Sequence, residues 1–370
     1  MSKNTFYISY PSIHSGTAKS KIQFFSKTPD LVPVFTPGNS EKKRLFVTDG
    51  TVASLECMQN FTSCFDDDVC GNDVLLVLGS GEAYKSIESV LTIIKKAIDF
   101  GFSRTDLFVG IGGGVICDLT AFAASIYKRG ISVQFVPTTL LAMVDASIGG
   151  KTGCDFDNYK NMIGTFYPAA NLYYWPEFVQ YLPENQYMSG LAEAFKTAVL
   201  FDSDMYALFR DKSTQIKERD SKILDEIIKR SVAAKTAVVQ KDFTEQNIRA
   251  TLNLGHTFAH ALESIVGLGS ITHGEAVAWG IGREVELARK KEYCSQAFRD
   301  EVFDLLQKYG WETKAIPSIV KGGGVGERFL TVMHNDKKNK SEKVRLIISK
   351  DLCNIITEET DDEDILSVLK

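Results

Sequence analysis
The chain is 370 residues long, enough for two domains with separate cores, and its 44% hydrophobic and 24% charged residues are those of an ordinary globular protein. No apolar run reaches the roughly eighteen residues of a membrane span, and a net charge of −5 argues against a nucleic-acid partner. Seven scattered cysteines include no Cys-x-x-Cys pair and the start, Met1-Ser-Lys-Asn-Thr-Phe-Tyr-Ile8, lacks a signal-peptide core, which predicts free thiols in a reducing cytoplasm.

The first half alternates two periodicities. Arg44–Thr48, Val74–Leu78, Leu107–Ile111 and Val133–Pro137 are short apolar runs bounded by turn residues, the pattern of buried parallel strands. Between them, Tyr84 to Phe100 and Val115 to Tyr127 carry helical spacing, so residues 1–180 are expected to form a doubly wound α/β domain. From about Leu182 long helical periods take over, as in Asp220 to Lys241, Glu275 to Lys290 and Phe298 to Tyr309. Residues 181–370 are therefore expected to form a mostly helical domain, with one late strand at Val344–Ile348, a glycine loop at Lys321–Gly326 and an acidic surface stretch at Glu358–Glu363.

Gly110-Ile-Gly-Gly-Gly-Val-Ile-Cys-Asp118 follows a strand and opens a helix. Consecutive glycines let backbone amides approach a pyrophosphate whose charge a helix N-terminus favours. Val115 stands where the third glycine of the usual dinucleotide fingerprint belongs, so a tight strand–helix turn that binds nothing is the competing reading. Asp49 and Gly81-Glu-Ala-Tyr-Lys85 follow two other strands, where carboxylates can hold ribose hydroxyls. Gly149-Gly-Lys-Thr152 resembles part of a P-loop, but Asp145 replaces its first glycine; Asp145, Lys151 and Asn161 read instead as a polar set at the lip between two domains.

Three of the five histidines, His256, His260 and His273, fall within eighteen residues. His256 and His260 are i and i+4, on one face of a predicted helix; His273 begins another, and Glu193 and Lys196 are i and i+3 on a third. Two imidazoles and the Glu193 carboxylate make the His₂Glu set of a catalytic zinc with open coordination positions. Buried ionisable groups are rare unless paired or metal-bound, which weighs against simple packing. Lys235 sits on a face of Ala, Val and Ile, where its bland reading is a snorkelling lysine, and Arg249, Lys337 and Lys338 can likewise be solvated. His14 and His334 lack such company and are expected at the surface.

These motifs, in this order from about Asp49 to Ile347, resemble those of 3-dehydroquinate synthase, a sugar phosphate cyclase: Gly-Gly-Gly-Val-Ile-x-Asp-Leu, Val-Pro-Thr-Thr-Leu-Leu-Ala, Gly-Gly-Lys-Thr-Gly, Lys-Asn-Met-Ile-Gly, Gly-Leu-Ala-Glu, Asn-Leu-Gly-His-Thr-Phe-x-His and His-Gly-Glu-Ala-Val. The resemblance implies an N-terminal NAD-binding domain, a C-terminal metal domain and an active site in the cleft between them. It implies a zinc or cobalt ion on Glu193, His256 and His273. It assigns substrate contacts to Asp145, Lys151, Asn161, Lys196, Lys235, Arg249, Asn253, His260 and Lys337 or Lys338. NAD contacts fall on Asp49, Glu82, Lys85, Gly113, Gly114, Asp118, Thr138, Thr139, Lys151 and Lys160. The implied reaction turns a phosphorylated sugar acid, 3-deoxy-D-arabino-heptulosonate 7-phosphate, into 3-dehydroquinate by transient NAD oxidation, phosphate elimination, re-reduction and aldol closure. It further implies a homodimer in which Arg129 reaches the neighbouring subunit's substrate phosphate. Cys117 and Thr51 depart from the family's common glycine and asparagine. The alternatives are a cyclase of the valiolone or inosose type, whose substrate has no carboxylate, and a metal-dependent alcohol dehydrogenase.

Overall fold
A computed structural model of the chain describes residues 4–10, 19–26, 29–157, 159–267, 269–335 and 343–370. The chain divides into two compact units, Met1–Pro183 with Lys235–Thr244, and Glu184–Ala234 with Glu245–Lys370.

The first unit is built on an eight-stranded sheet. Its strands are β1 (Thr5–Ser9), β2 (Lys19–Phe24), β3 (Arg44–Asp49), β4 (Val69–Cys70), β5 (Asp73–Leu78), β6 (Leu107–Gly112), β7 (Ser132–Pro137) and, beyond a separate hairpin of β8 (Lys151–Phe156) and β9 (Tyr159–Phe166), β10 (Asn171–Tyr174). The spatial order is β1-β2-β10-β7-β6-β3-β5-β4. The six inner strands run parallel, and β1 and β4 pair antiparallel at the edges. Leu45, Phe46 and Val47 of β3 and Phe108 and Val109 of β6 are fully buried, because helices cover both faces of a parallel sheet. The Ile87–Asp99 helix starts where the Ser86 hydroxyl accepts from Ser89 N, and buries Val90, Ile93 and Ala97 at helical spacing.

The expected strands and the helices at Ile87–Asp99 and Gly114–Ile126 are all present, whereas β1, β2, β10 and the β8–β9 hairpin carry no clean apolar period and were not anticipated. The domain boundary also differs. Lys235–Thr244 was assigned by sequence to the second domain but groups with the first unit. Phe243 packs edge-on to Tyr10 at 4.9 Å and beside Phe166 at 5.3 Å, and the Gln240 side chain donates to Tyr7 O at 3.0 Å.

The second unit is helical, with one hairpin of β11 (Val344–Asp351) and β12 (Asn354–Thr360). The His273–Lys290 helix is its axis: it packs against the Glu184–Phe201 and His256–Val266 helices, the Gln296–Lys308 helix and β11. The acidic stretch Glu358–Glu363 is mostly exposed, and it joins the end of β12, at Thr360, to a helix spanning Asp362–Ser367. No helix among the described residues is long and apolar enough to cross a membrane.

Candidate functional site
In the first unit, β6 ends at Gly112 and the Gly114–Ile126 helix begins with Gly113 as its cap, a residue that offers no side chain to the first amides. Thr138 N donates to Gly112 O at 2.9 Å and locks this turn to the end of β7. A Cβ on Gly113 would come within 3.0 Å of the Thr139 methyl. Glycine there lets Thr139 pack against the turn, and the first helix amides receive no side-chain cap, a helix N-terminus of the kind that fits a pyrophosphate. Cys117 is buried one turn later, and Thr51 donates its hydroxyl to Ser80 Oγ at 2.9 Å, so both departures from the family pattern are accommodated. Asp49 caps the short Gly50–Ala53 helix, accepting from Thr51 N and Val52 N at 2.9 and 3.0 Å.

Lys85 gathers several of the expected cofactor residues. Its ammonium is 2.7 Å from Asp118 and donates to Asn161 Oδ1 at 2.6 Å, and Glu82 pairs more loosely with Lys160 at 3.9 Å. Burial works against the Lys85 charge, but Asp118 and Glu82 outweigh it and push the ammonium up to about 12. Burial also raises the Asp118 carboxyl against the pull of Lys85; the 2.7 Å contact favours the ionised pair. Asp145 lies in a π-helical turn, Ala142–Ala146, and both its carboxylate and its carbonyl accept from Lys235 Nζ at 2.6 Å. Lys235 is therefore not merely snorkelling. The polar set expected at Asp145, Lys151 and Asn161 resolves into two clusters, Asp145 with Lys235 and Asn161 with Lys85, while Lys151 is exposed at the start of β8.

In the second unit three elements deliver the candidate metal ligands. Thr272 and Glu275 form a reciprocal capping box that fixes His273 in the first turn of its helix. Gly274 N donates to Ser189 Oγ at 3.0 Å, and the two helices approach so closely that a Cβ on Gly274 would lie 2.0 Å from Ser189 O. That crossing brings Glu193 under His273. Gly255 caps the third helix at φ +78°, a left-handed conformation that suits glycine, and its amide donates to the buried Glu284 at 2.6 Å. His256 then starts the helix with Nδ1 3.1 Å from Leu254 O, a contact that turns Nε2 toward Glu193.

His256 Nε2 and His273 Nε2 each lie 3.4 Å from Glu193 Oε1, and the three ligand atoms are within 4.8 Å of one another. Glu193 is buried, and neither of its oxygens makes a well-formed hydrogen bond. The Lys196 ammonium, 2.5 Å from Oε2, stands as an ion pair. Burial raises the Glu193 carboxyl, but Lys196 and His273 reverse this and hold it at about 2. Burial likewise lowers His273, while Glu193 and Glu263 push it up to about 9, so without a metal a proton sits where a cation would. Two imidazoles and an ionised carboxylate converging on one point fit a divalent ion of the zinc type and leave open positions for other ligands.

His260, half-buried, lies near both ligand rings, edge-on to His256 at 5.6 Å and stacked on His273 at 6.1 Å. Arg249 and Asn253 share the short Ile248–Asn253 turn; Arg249 is 2% exposed, and Asn253 donates to Glu245 at 2.9 Å. Arg129 is exposed beyond the glycine-turn helix, at φ +66°. Lys337, with Lys338, lies outside the described residues, as does His14. His334 is not without company: its Nε2 is 2.8 Å from Asp362. Sequence reasoning missed Glu263, 3.5 Å from His273 Nδ1, although its i+3 spacing from His260 and i+7 from His256 put it on the same helix face. It also missed Glu284, Glu245 and Asp155, which accept from backbone or side-chain amides and carry no spacing signal.

Residues 75–189 match the family model described as 3-dehydroquinate synthase N-terminal, and residues 190–339 match that described as 3-dehydroquinate synthase C-terminal. A 3-dehydroquinate synthase from Acidithiobacillus ferrooxidans is 35% identical over 317 residues, 85% of this chain and 84% of that one. Among solved structures, the 2-epi-5-epi-valiolone synthase from Streptomyces hygroscopicus, with NAD⁺ and Zn²⁺ bound, superposes with a TM-score of 0.83 at 23% identity and 97% coverage of both chains. A 2-deoxy-scyllo-inosose synthase complexed with carbaglucose-6-phosphate, NAD⁺ and Co²⁺ does so at 0.82 and 21% identity, covering 99% of both.

Proposed function
The chain belongs to the 3-dehydroquinate synthase family, and on that premise we propose that it converts 3-deoxy-D-arabino-heptulosonate 7-phosphate to 3-dehydroquinate and phosphate. The observation that carries this reading is the 35% identity over 85% of the chain, because the solved cyclases at 21 and 23% identity share the fold without deciding the substrate. The reading makes the protein a phosphate-eliminating carbon–oxygen lyase of aromatic amino acid biosynthesis.

When bound, NAD⁺ takes and later returns one hydride, and a zinc or cobalt ion polarises substrate hydroxyls. Glu193, His256 and His273 would hold the metal. The Gly113–Gly114 turn, Asp49, Glu82, Lys85, Asp118, Thr138, Thr139, Lys151 and Lys160 would hold the dinucleotide. Arg249 is suited to grip the substrate carboxylate, since a planar guanidinium offers two parallel donors. Asp145, Lys151, Asn161, Lys196, Lys235, Asn253 and Lys337 position the hydroxyls and phosphate, and their main task is orientation. His260 would move a proton, because an imidazole titrates near neutrality. Arg129 would serve the substrate phosphate of a second copy in a homodimer.

The test supplies the heptulosonate phosphate with catalytic NAD⁺ and follows phosphate and the carbocyclic product. Phosphate release far in excess of NADH is expected. One NADH per substrate consumed would make the protein a dehydrogenase, and equal turnover of sedoheptulose 7-phosphate would make it a cyclase of the non-acid type.

A further inference from the structure
Three hydrogen bonds close a ring that joins Lys85 to the β8–β9 hairpin. Lys85 Nζ donates to Asn161 Oδ1 at 2.6 Å, Asn161 N donates to Asp155 Oδ1 at 2.7 Å, and Asp155 N donates to Lys85 O at 2.8 Å. Asp155 falls at the register shift between Cys154 and Phe156, where the hairpin ladder is interrupted. It bridges instead to Ser86, alongside the chain that carries Lys85. A bulge of this kind frees one residue from its ladder and re-aims a neighbouring side chain.

Asn161 is what the bulge aims. Its backbone is left-handed, at φ +50°, a conformation that asparagine tolerates better than most residues but that still needs support from its surroundings. The Asp155 carboxylate supplies that support by accepting the Asn161 amide. At the other end, Lys85 has hydrogens to give and no lone pair to offer, so the amide oxygen of Asn161 must face it. The planar amide then turns its NH₂ group away from Lys85, and Asn161 is exposed. Lys85 is held in turn by Asp118 at 2.7 Å, which ties the ring to the glycine-turn helix.

We propose that Asp155 is a positioning residue, which fixes Asn161 so that its Nδ2 donates to an oxygen of the substrate, a hydroxyl or phosphate acceptor. The identity of that substrate rests on the function proposed above; the fixing of Asn161 does not. The competing account is electrostatic, with Asp155 acting only through its negative charge near Lys85.

Asp155→Asn keeps a carbonyl oxygen to accept the Asn161 amide and removes the charge, whereas Asp155→Ala removes both. Steady-state kinetics, NAD⁺ affinity and hydrogen exchange at the Asn161 amide are measured for the two variants and the parent. Asp155→Ala is expected to exchange Asn161 rapidly, to raise KM for the heptulosonate phosphate about tenfold, the scale of one lost charged hydrogen bond, and to leave the NAD⁺ affinity near that of the parent. Asp155→Asn is expected to restore slow exchange and a KM within about twofold of the parent. An unchanged KM in Asp155→Ala despite rapid exchange would overturn the positioning role, and so would an Asp155→Asn variant that exchanges slowly yet keeps the raised KM, since the charge would then be what matters. If the parent does not turn over the heptulosonate phosphate, the proposed function fails, while slow exchange in the parent and Asp155→Asn against rapid exchange in Asp155→Ala still supports the fixing of Asn161.

Discussion
His273 Nδ1 lies 3.5 Å from Glu263 Oε1 while the same ring's Nε2 lies 3.4 Å from Glu193 Oε1, so one imidazole is strung between two buried carboxylates. Glu193 shares its space with a second histidine, His256, and Glu263 with His260. The arrangement suits a ligand at Nε2 whose tautomer and orientation are set from behind by Glu263, as carboxylates commonly do for metal-bound histidines. Glu263→Gln is expected to weaken zinc binding about tenfold without unfolding the protein, the lower end of what such partners contribute. Competition against a chromophoric chelator measures it. An unchanged affinity would reduce Glu263 to a packing residue.

Metal removal should change how stability responds to pH. In the metal-free protein His273 is pushed up to about 9 by Glu193 and Glu263 against the opposing effect of burial, above the ordinary 6.5 of the unfolded chain. A raised histidine contributes stability that is fully present below about 6.5 and is lost as pH rises through about 9. Chelator-treated protein should therefore lose Tm across that window. Zinc-loaded protein should not show this loss, because a ligating imidazole is already neutral. Parallel Tm profiles with and without metal would show that His273 is not a ligand.

What could be read from the sequence followed the strength of its periodicities. Phe46 and Phe108 lie in runs buried on both sides, and such runs announce parallel strands. His256 and His260 announced one helix face. The β8–β9 hairpin was invisible because Lys151, Phe156, Met162 and Phe166 are exposed and Gly153 faces Gly164, so neither alternation nor a turn signature marks it. Lys235–Thr244 was misassigned because helical period is continuous along Ser221–Lys241, and nothing in that period records that Phe243 packs on Tyr10. Glu263 and Asp155 were missed for a related reason: each acts across a turn, on the ring of His273 and the amide of Asn161, where no single period runs through both partners.

Lys85→Met should be more damaging to stability than an exposed lysine substitution. Lys85 is 7% exposed, and its ammonium is the close partner of Asp118 at 2.7 Å. Removing one member of a buried pair leaves the other charge uncompensated, at a cost of about 3–5 kcal/mol. Asp118→Asn added to Lys85→Met should return part of that loss, because the uncompensated carboxylate is gone. Urea denaturation of both variants and of Lys95→Met, whose partner Asp99 is in solvent, gives the comparison. A double variant no more stable than Lys85→Met would mean that the loss came from packing of the lysine stem.

The Ser189–Gly274 crossing should prove the tightest constraint on the metal cluster. A Cβ on Gly274 would stand 2.0 Å from Ser189 O and 2.5 Å from Ser189 Cα, both main-chain atoms that cannot rotate aside. Gly274→Ala must therefore push the Glu184–Phe201 and His273–Lys290 helices apart. Glu193 is four residues after Ser189 and His273 is the neighbour of Gly274, so the same movement opens the 3.4 Å separation between Glu193 and His273. Overpacking of this kind typically costs about 1–3 kcal/mol, and here it should also weaken zinc binding by more than the stability loss alone would suggest. Gly323→Ala is the control, since nothing lies within 4 Å of its Cβ position, and it should leave both quantities unchanged. If Gly274→Ala lowers Tm but binds zinc with parental affinity, the helix crossing supports the fold without setting the ligand geometry.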